Sequence, residues 1–104
     1  MLTQKQKNTP YIGIFKLSTG EEIITNVVEE TSSSFMIKNP LCMVPTQKGY
    51  QFAPLLMMAD AEKLVSLNKA SVVATTLPVV ELEGQYESIT TGIALPQKSS
   101  IITS

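Results

Sequence analysis

The sequence predicts a small, mainly β single domain that ends in one helix, and three observations carry that expectation. Short apolar runs with β-type alternation recur from Tyr11 onward. Tight polar turns rich in glycine, serine and asparagine separate them. After Thr76 the apolar residues recur at spacings of three and four, as on an amphipathic helix. A chain of 104 residues has room for one core and no second domain. The expected organisation is one domain over 1–104: a polar arm at 1–10, a β unit at 11–77, a helix at 78–93 and a tail at 94–104.

The elements follow in order. YIGIFKL, starting at Tyr11, is apolar on both faces, as expected of a strand with both sides covered. Ser18-Thr19-Gly20 reads as a hairpin loop, with Gly20 supplying the positive φ that such a turn needs. IITNVVEE is a second strand, with Ile24 and Val28 on one face and Ile23 and Val27 on the other. A serine-rich turn at 31–34 leads into FMIKNPLCMV, where Phe35 and Ile37 alternate against Met36 and Lys38. Pro40 removes a ladder donor there, so the third strand should bend or run along an edge. YQFAPLLMMA (50–59) is the fourth strand, interrupted by Pro54. A charged break at 60–63 follows, then LVSL resumes the pattern, Asn68-Lys69 turns the chain, and ASVVATT is the fifth strand. Strands this frequent, joined by short turns, predict a small barrel or sandwich.

The helix has its own signals. Thr76 is a candidate cap, and Pro78 stands near the first helical position, where its missing N–H is harmless. Val79, Leu82, Tyr86, Ile89 and Ile93 form the apolar seam. Glu81 and Glu83 lie where the helix dipole favours negative charge. Gly92 is the expected stop.

Composition excludes more than it suggests. Charged residues are only 16% of the chain against 43% hydrophobic, which leaves apolar surface for a partner. There is no His, no Arg and no Trp, and Asp60 is the single aspartate. Without His or a Cys cluster, no metal site and no cofactor are expected. The same gap removes the usual general acid–base near neutral pH, so no catalytic residue is assigned and an enzyme is not expected. Absence of Arg takes away the bidentate fork that grips phosphate. A formal charge of −1 provides no global basic field. Cys42 has no partner for an internal disulfide and no His to activate it, so it reads as a small buried hydrophobe. The opening MLTQKQKNTP lacks the apolar stretch of a signal peptide, and no run approaches the roughly 18 apolar residues of a membrane span. A reducing cytoplasm, of a cell or of an infected host, is the expected location.

The order of these elements resembles the Sm/LSm-like proteins, including the bacterial Hfq type. IGIFKLSTGEEIITNVVEE is similar to the opening hairpin of the first Sm motif, and SSSFMIKN to the segment after its second strand. VSLNKASVVATTLP resembles the Hfq segment in which a strand, a short Lys-containing turn and a last strand end in proline. The likeness covers residues 11–78, loosely in the middle. It implies a five-stranded, strongly bent antiparallel barrel with an appended C-terminal helix. It also implies a homo-oligomeric ring of about five to seven copies, joined by edge strands near 50–59 and 71–76. The chain departs from the family at Ser33 and Ser34, which replace the acidic residue and asparagine that hold a base. It lacks the Arg-Gly of the second motif and the Hfq histidine, and its helix follows the barrel instead of preceding it. Small Sm-like proteins of marine bacteriophages (cyanophages) look similar in such departures, which implies a phage origin.

The resemblance places Lys69 and Asn68 at the pore, facing phosphate or a uracil edge; read by itself, Asn-Lys is an ordinary polar turn. Phe35 either stacks on a base or packs in the core beside Ile37. Ser33 and Ser34 either bond a base or ribose or are solvated turn residues. Met43, Met57 and Met58 are core fillers or an adaptable surface. Glu21, Glu22, Glu29 and Glu30 read as solvated hairpin ends. The expected function is binding of single-stranded RNA or DNA in RNA or DNA processing. The alternative is a phage-related protein–protein assembly module that keeps the ring and not the nucleic acid.

Overall fold

Residues 10–91 are described by a computed structural model. The expected arm, apart from Pro10, and the expected tail at 94–104 lie outside the described residues, as do Gly92 and Ile93.

The described residues form six antiparallel strands and one α-helix: β1 Tyr11–Leu17, β2 Glu22–Glu30, β3 Ser34–Thr46, β4 Gly49–Pro54, β5 Val65–Asn68, β6 Val72–Thr76 and α1 Val80–Thr91. The sheet runs in the order β4-β3-β2-β1-β6, with β5 paired to β3 beside this path. β1 and β2 close on the expected hairpin: Gly20 has φ of 108°, and its N–H donates to the Leu17 carbonyl at 2.9 Å. The mainly β class with a C-terminal helix is therefore as the sequence predicts. The path does not return on itself, and it ends on β4 at one edge and β6 at the other.

Proline placement explains how six strands arise where five were expected. Pro54 ends β4, and the Leu55 N–H turns aside to the Pro40 carbonyl at 2.9 Å. The fourth strand expected over 50–59 is thus cut short, and its continuation returns after a loop as the separate strand β5. β3 does not run along an edge at Pro40; it changes partner there. Residues 34–37 pair with β5 and residues 41–46 with β4, and Asn39 between them has a positive φ of 54°.

The two sides of the sheet carry different cores. Phe15, Leu17, Ile23, Val27, Phe35 and Ile37 form one cluster, with Val65, Leu67 and Val72 packed against it. Ile24, Leu41 and Tyr86 form the second, covered by α1. Burying a side chain of this kind contributes roughly 1.5–3 kcal/mol, so the first cluster supplies most of the drive to fold.

α1 starts two residues later than expected, at Val80, and Thr76 does not cap it. Thr76 is the last residue of β6, and the first helical bond runs from the Glu83 N–H to the Val79 carbonyl at 3.0 Å. Only part of the expected seam is buried: Tyr86 fully and Leu82 partly, while Val79 and Ile89 are exposed. Among the described residues no helix is long and apolar enough to cross a membrane.

Candidate nucleic-acid interface

The turn at 31–34 is built by one hydroxyl. Thr31 Oγ1 accepts from the N–H groups of Ser33 (3.3 Å) and Ser34 (2.9 Å), and the Thr31 N–H donates to the Ser34 carbonyl at 2.8 Å. Such local bonding is what places serine and threonine in turns. It sets Ser34 at the start of β3, where it pairs with Asn68 of β5.

Asn68 and Lys69 arrive from the other side. Asn68 caps a short 3₁₀ turn, Lys69–Ser71, by accepting from the Ala70 N–H at Oδ1, 2.9 Å away. The Lys69 N–H donates to the Ser33 carbonyl at 2.9 Å. This backbone bond stitches the two loops into one patch.

Above that patch the Lys69 ammonium is held by two groups. It donates to Glu30 Oε2 at 2.7 Å and lies 5.1 Å from the centroid of the Phe35 ring. Phe35 is only 8% exposed, and its ring sits 4.7 Å from that of Phe15, tilted by 31°. Of the two arrangements open to Phe35, this one places its ring in the core, with the ammonium over it. A cation over an aromatic face is attracted by the ring quadrupole, so Phe35 acts as a floor beneath the charge. The ion pair is open to solvent, with side chains 31% (Lys69) and 43% (Glu30) exposed, and contributes at most about 1 kcal/mol to folding.

All five residues singled out from the sequence, Ser33, Ser34, Phe35, Asn68 and Lys69, therefore meet at one end of β3 and β5. Glu30, solvent-exposed at the end of β2, belongs with them. Its partner lies 39 positions away, and no periodicity links the two. Tyr11 stands near the same carboxylate: burial first, and Glu30 second, push its phenol above the ordinary value. Met57 and Met58 are exposed and Met43 half-exposed, so none of the three fills the core. Cys42 is half-buried, with Sγ 3.6 Å from the Ala53 carbonyl.

Among the described residues, no three His, Cys, Asp or Glu converge as a metal site. What the patch offers chemically is an ammonium, two hydroxyls, an amide and a carboxylate. These suit reversible contacts to phosphate, ribose or a base edge. No protein-family model matches this chain, and a search of the curated proteins finds no match to it either.

Proposed function

We propose that this chain is an Sm-like subunit that assembles through its open sheet edges into a ring of about five to seven copies. Each copy contributes its Lys69 patch to a shared opening that holds single-stranded RNA or DNA. The role is binding, not catalysis. The observation that carries the reading is the meeting of Ser33, Ser34, Asn68 and Lys69 in one patch, through the Lys69–Ser33 bond and the Ser34–Asn68 pair. Assembly is supported by the edge strands β4 and β6, which among the described residues pair on one side only, since exposed edges invite pairing with another chain.

Symmetry matters to the electrostatics. One chain, with eight basic and nine acidic residues, has no useful field. Repeating Lys69 around one axis concentrates ammonium groups locally. Lysine without arginine gives point-charge contacts, hence weak, sequence-tolerant, salt-dependent binding. Fluorescent oligo-U, with oligo-A and DNA controls, titrated at low and moderate salt, is the test. Expected is a salt slope of about −0.7 per phosphate contact that flattens in Lys69→Ala. An assembled ring that binds no strand at low salt would overturn the reading.

One observation favours the assembly-module alternative. The Lys69 charge is already balanced by Glu30 at 2.7 Å. On that reading Glu30→Gln, which frees the ammonium, leaves the chain as inert toward oligonucleotides as before. On the favoured reading it strengthens binding.

A further inference from the structure

The Glu30–Lys69 pair offers more than the charge of its lysine. Glu30 and Phe35 are register partners across β2 and β3, and the Lys69 N–H is tied to the Ser33 carbonyl, so both ends of the pair stand on fixed backbone. The bond between them runs from the Lys69 ammonium to Glu30 Oε2 at 2.7 Å. An ammonium carries further N–H donors, and both carboxylate oxygens carry further lone pairs. Along the pair the groups are therefore a donor at Nζ, an acceptor at Oε2 and an acceptor at Oε1. Both side chains reach solvent, at 31% for Lys69 and 43% for Glu30, while the Phe35 ring supports the ammonium from one side. A lysine alone tolerates any sequence, whereas a row of donor, acceptor and acceptor does not.

We propose that this pair reads the Watson–Crick edge of an unpaired guanine. The inference rests on the strand-binding reading above and adds the base that the site prefers. Guanine presents O6 as an acceptor, then N1–H and the N2 amino group as donors, which meets the row at all three positions. Uracil matches the first two, with O4 and N3–H, but sets its O2 against Oε1. Cytosine and adenine place a ring-nitrogen acceptor in the middle, against Oε2. Bases in a single strand are open to such reading along this edge. Two of the three contacts go to a carboxylate and one to an ammonium, so all are charge-assisted. Water competes at an exposed pair, which keeps the preference at the low end for a multi-point base contact, about tenfold.

The test titrates the full chain into fluorescent RNA of UUG repeats, with UUA, UUC and oligo-U strands of equal length as controls. The UUG strand should bind about tenfold tighter than each control. Replacing guanine by inosine deletes the N2 amino group and should remove most of that preference, whereas a guanine analogue altered only at the Hoogsteen edge should keep it. Glu30→Gln strengthens oligo-U binding, as above, and should bring all four strands level. The inosine comparison uses the wild-type chain, so it decides the matter even if the variant misfolds. Equal wild-type binding to all four strands keeps the phosphate contacts and overturns this inference. A guanine preference that survives in Glu30→Gln, or that inosine retains in full, assigns the reading to other groups and overturns it too. Guanosine monophosphate that displaces the UUG strand at equal concentration makes the site one for a free nucleotide, which also overturns it. No binding of any strand removes the strand-binding reading and this inference together.

Discussion

The two sides of the β1–β3 sheet are both apolar, yet among the described residues only one is fully covered. On the inner side Phe15, Val27 and Ile37 are completely shielded, because β5 and β6 bring Val65, Leu67 and Val72 against them. On the outer side a single helix lies over Ile24 and Leu41, anchored by one tyrosine, with an open groove beside it. Tyr86 is an unusual anchor for an apolar interface. Its hydroxyl accepts from the Asn26 N–H at 3.0 Å and can donate to the carbonyl of Lys38 (3.1 Å) or Asn39 (2.8 Å). Those groups lie where the β2–β3 register shifts, so the tyrosine satisfies backbone that the ladder leaves over. The inner side holds the fold through packing, and the outer side holds the helix through one polar clasp.

That contrast orders the expected effects of substitution. Phe15→Ala should cost the most, about 3–5 kcal/mol in urea unfolding, because it opens a cavity in a sealed cluster and removes the ring under Phe35. A cost below about 1 kcal/mol would show the inner side to be loosely packed.

Tyr86→Phe comes next. It keeps the ring and deletes the hydroxyl, leaving the Asn26 N–H without its partner, at about 1–3 kcal/mol. The same group sets a pH response. Burial pushes the Tyr86 phenol up to about 12 from 10.0, against the smaller opposite pull of bonds from the Asn26 N–H and the Thr25 hydroxyl. A phenol raised in the folded state stabilises fully below its unfolded value and loses that contribution as pH climbs through the folded one. Stability should therefore fall between about pH 10 and 12, less steeply in Tyr86→Phe than in the wild type. Equal slopes for the two proteins would contradict the clasp.

Ile89→Asp should be the mildest of the three for a single chain, within about 0.5 kcal/mol, since Ile89 is 54% exposed. A large loss of melting temperature that depends on protein concentration would place Ile89 in a contact between copies.

These differences track what the sequence makes legible. The first hairpin is legible because Gly20 must take a positive φ and because YIGIFKL carries apolar residues on both faces, interrupted only by the exposed Lys16. Pro40 announced the change of partner along β3, though not that Asn39 would take the left-handed conformation beside it. The split of the fourth strand was half visible: Pro54 marked the interruption, but apolar LLMM suggested continuation where Met57 and Met58 instead face solvent. The seam of α1 is buried only at Tyr86 and in part at Leu82, because spacing shows which residues share a stripe and not how much of the stripe has something to cover it. At the candidate site the turns were legible from their own chemistry. The Lys69–Glu30 pair and the Tyr86 clasp were not, since they join positions 39 and 60 residues apart through the fold alone.

The proposed ring requires copies of the chain to pair along the edges of this open sheet. Light scattering on the eluting peak of a gel-filtration column measures that most directly, at micromolar concentrations and moderate salt. The account predicts one species whose mass is a fixed multiple of the 11.3 kDa chain, about five to seven copies. A chain that elutes with the mass of one copy across that range would contradict it.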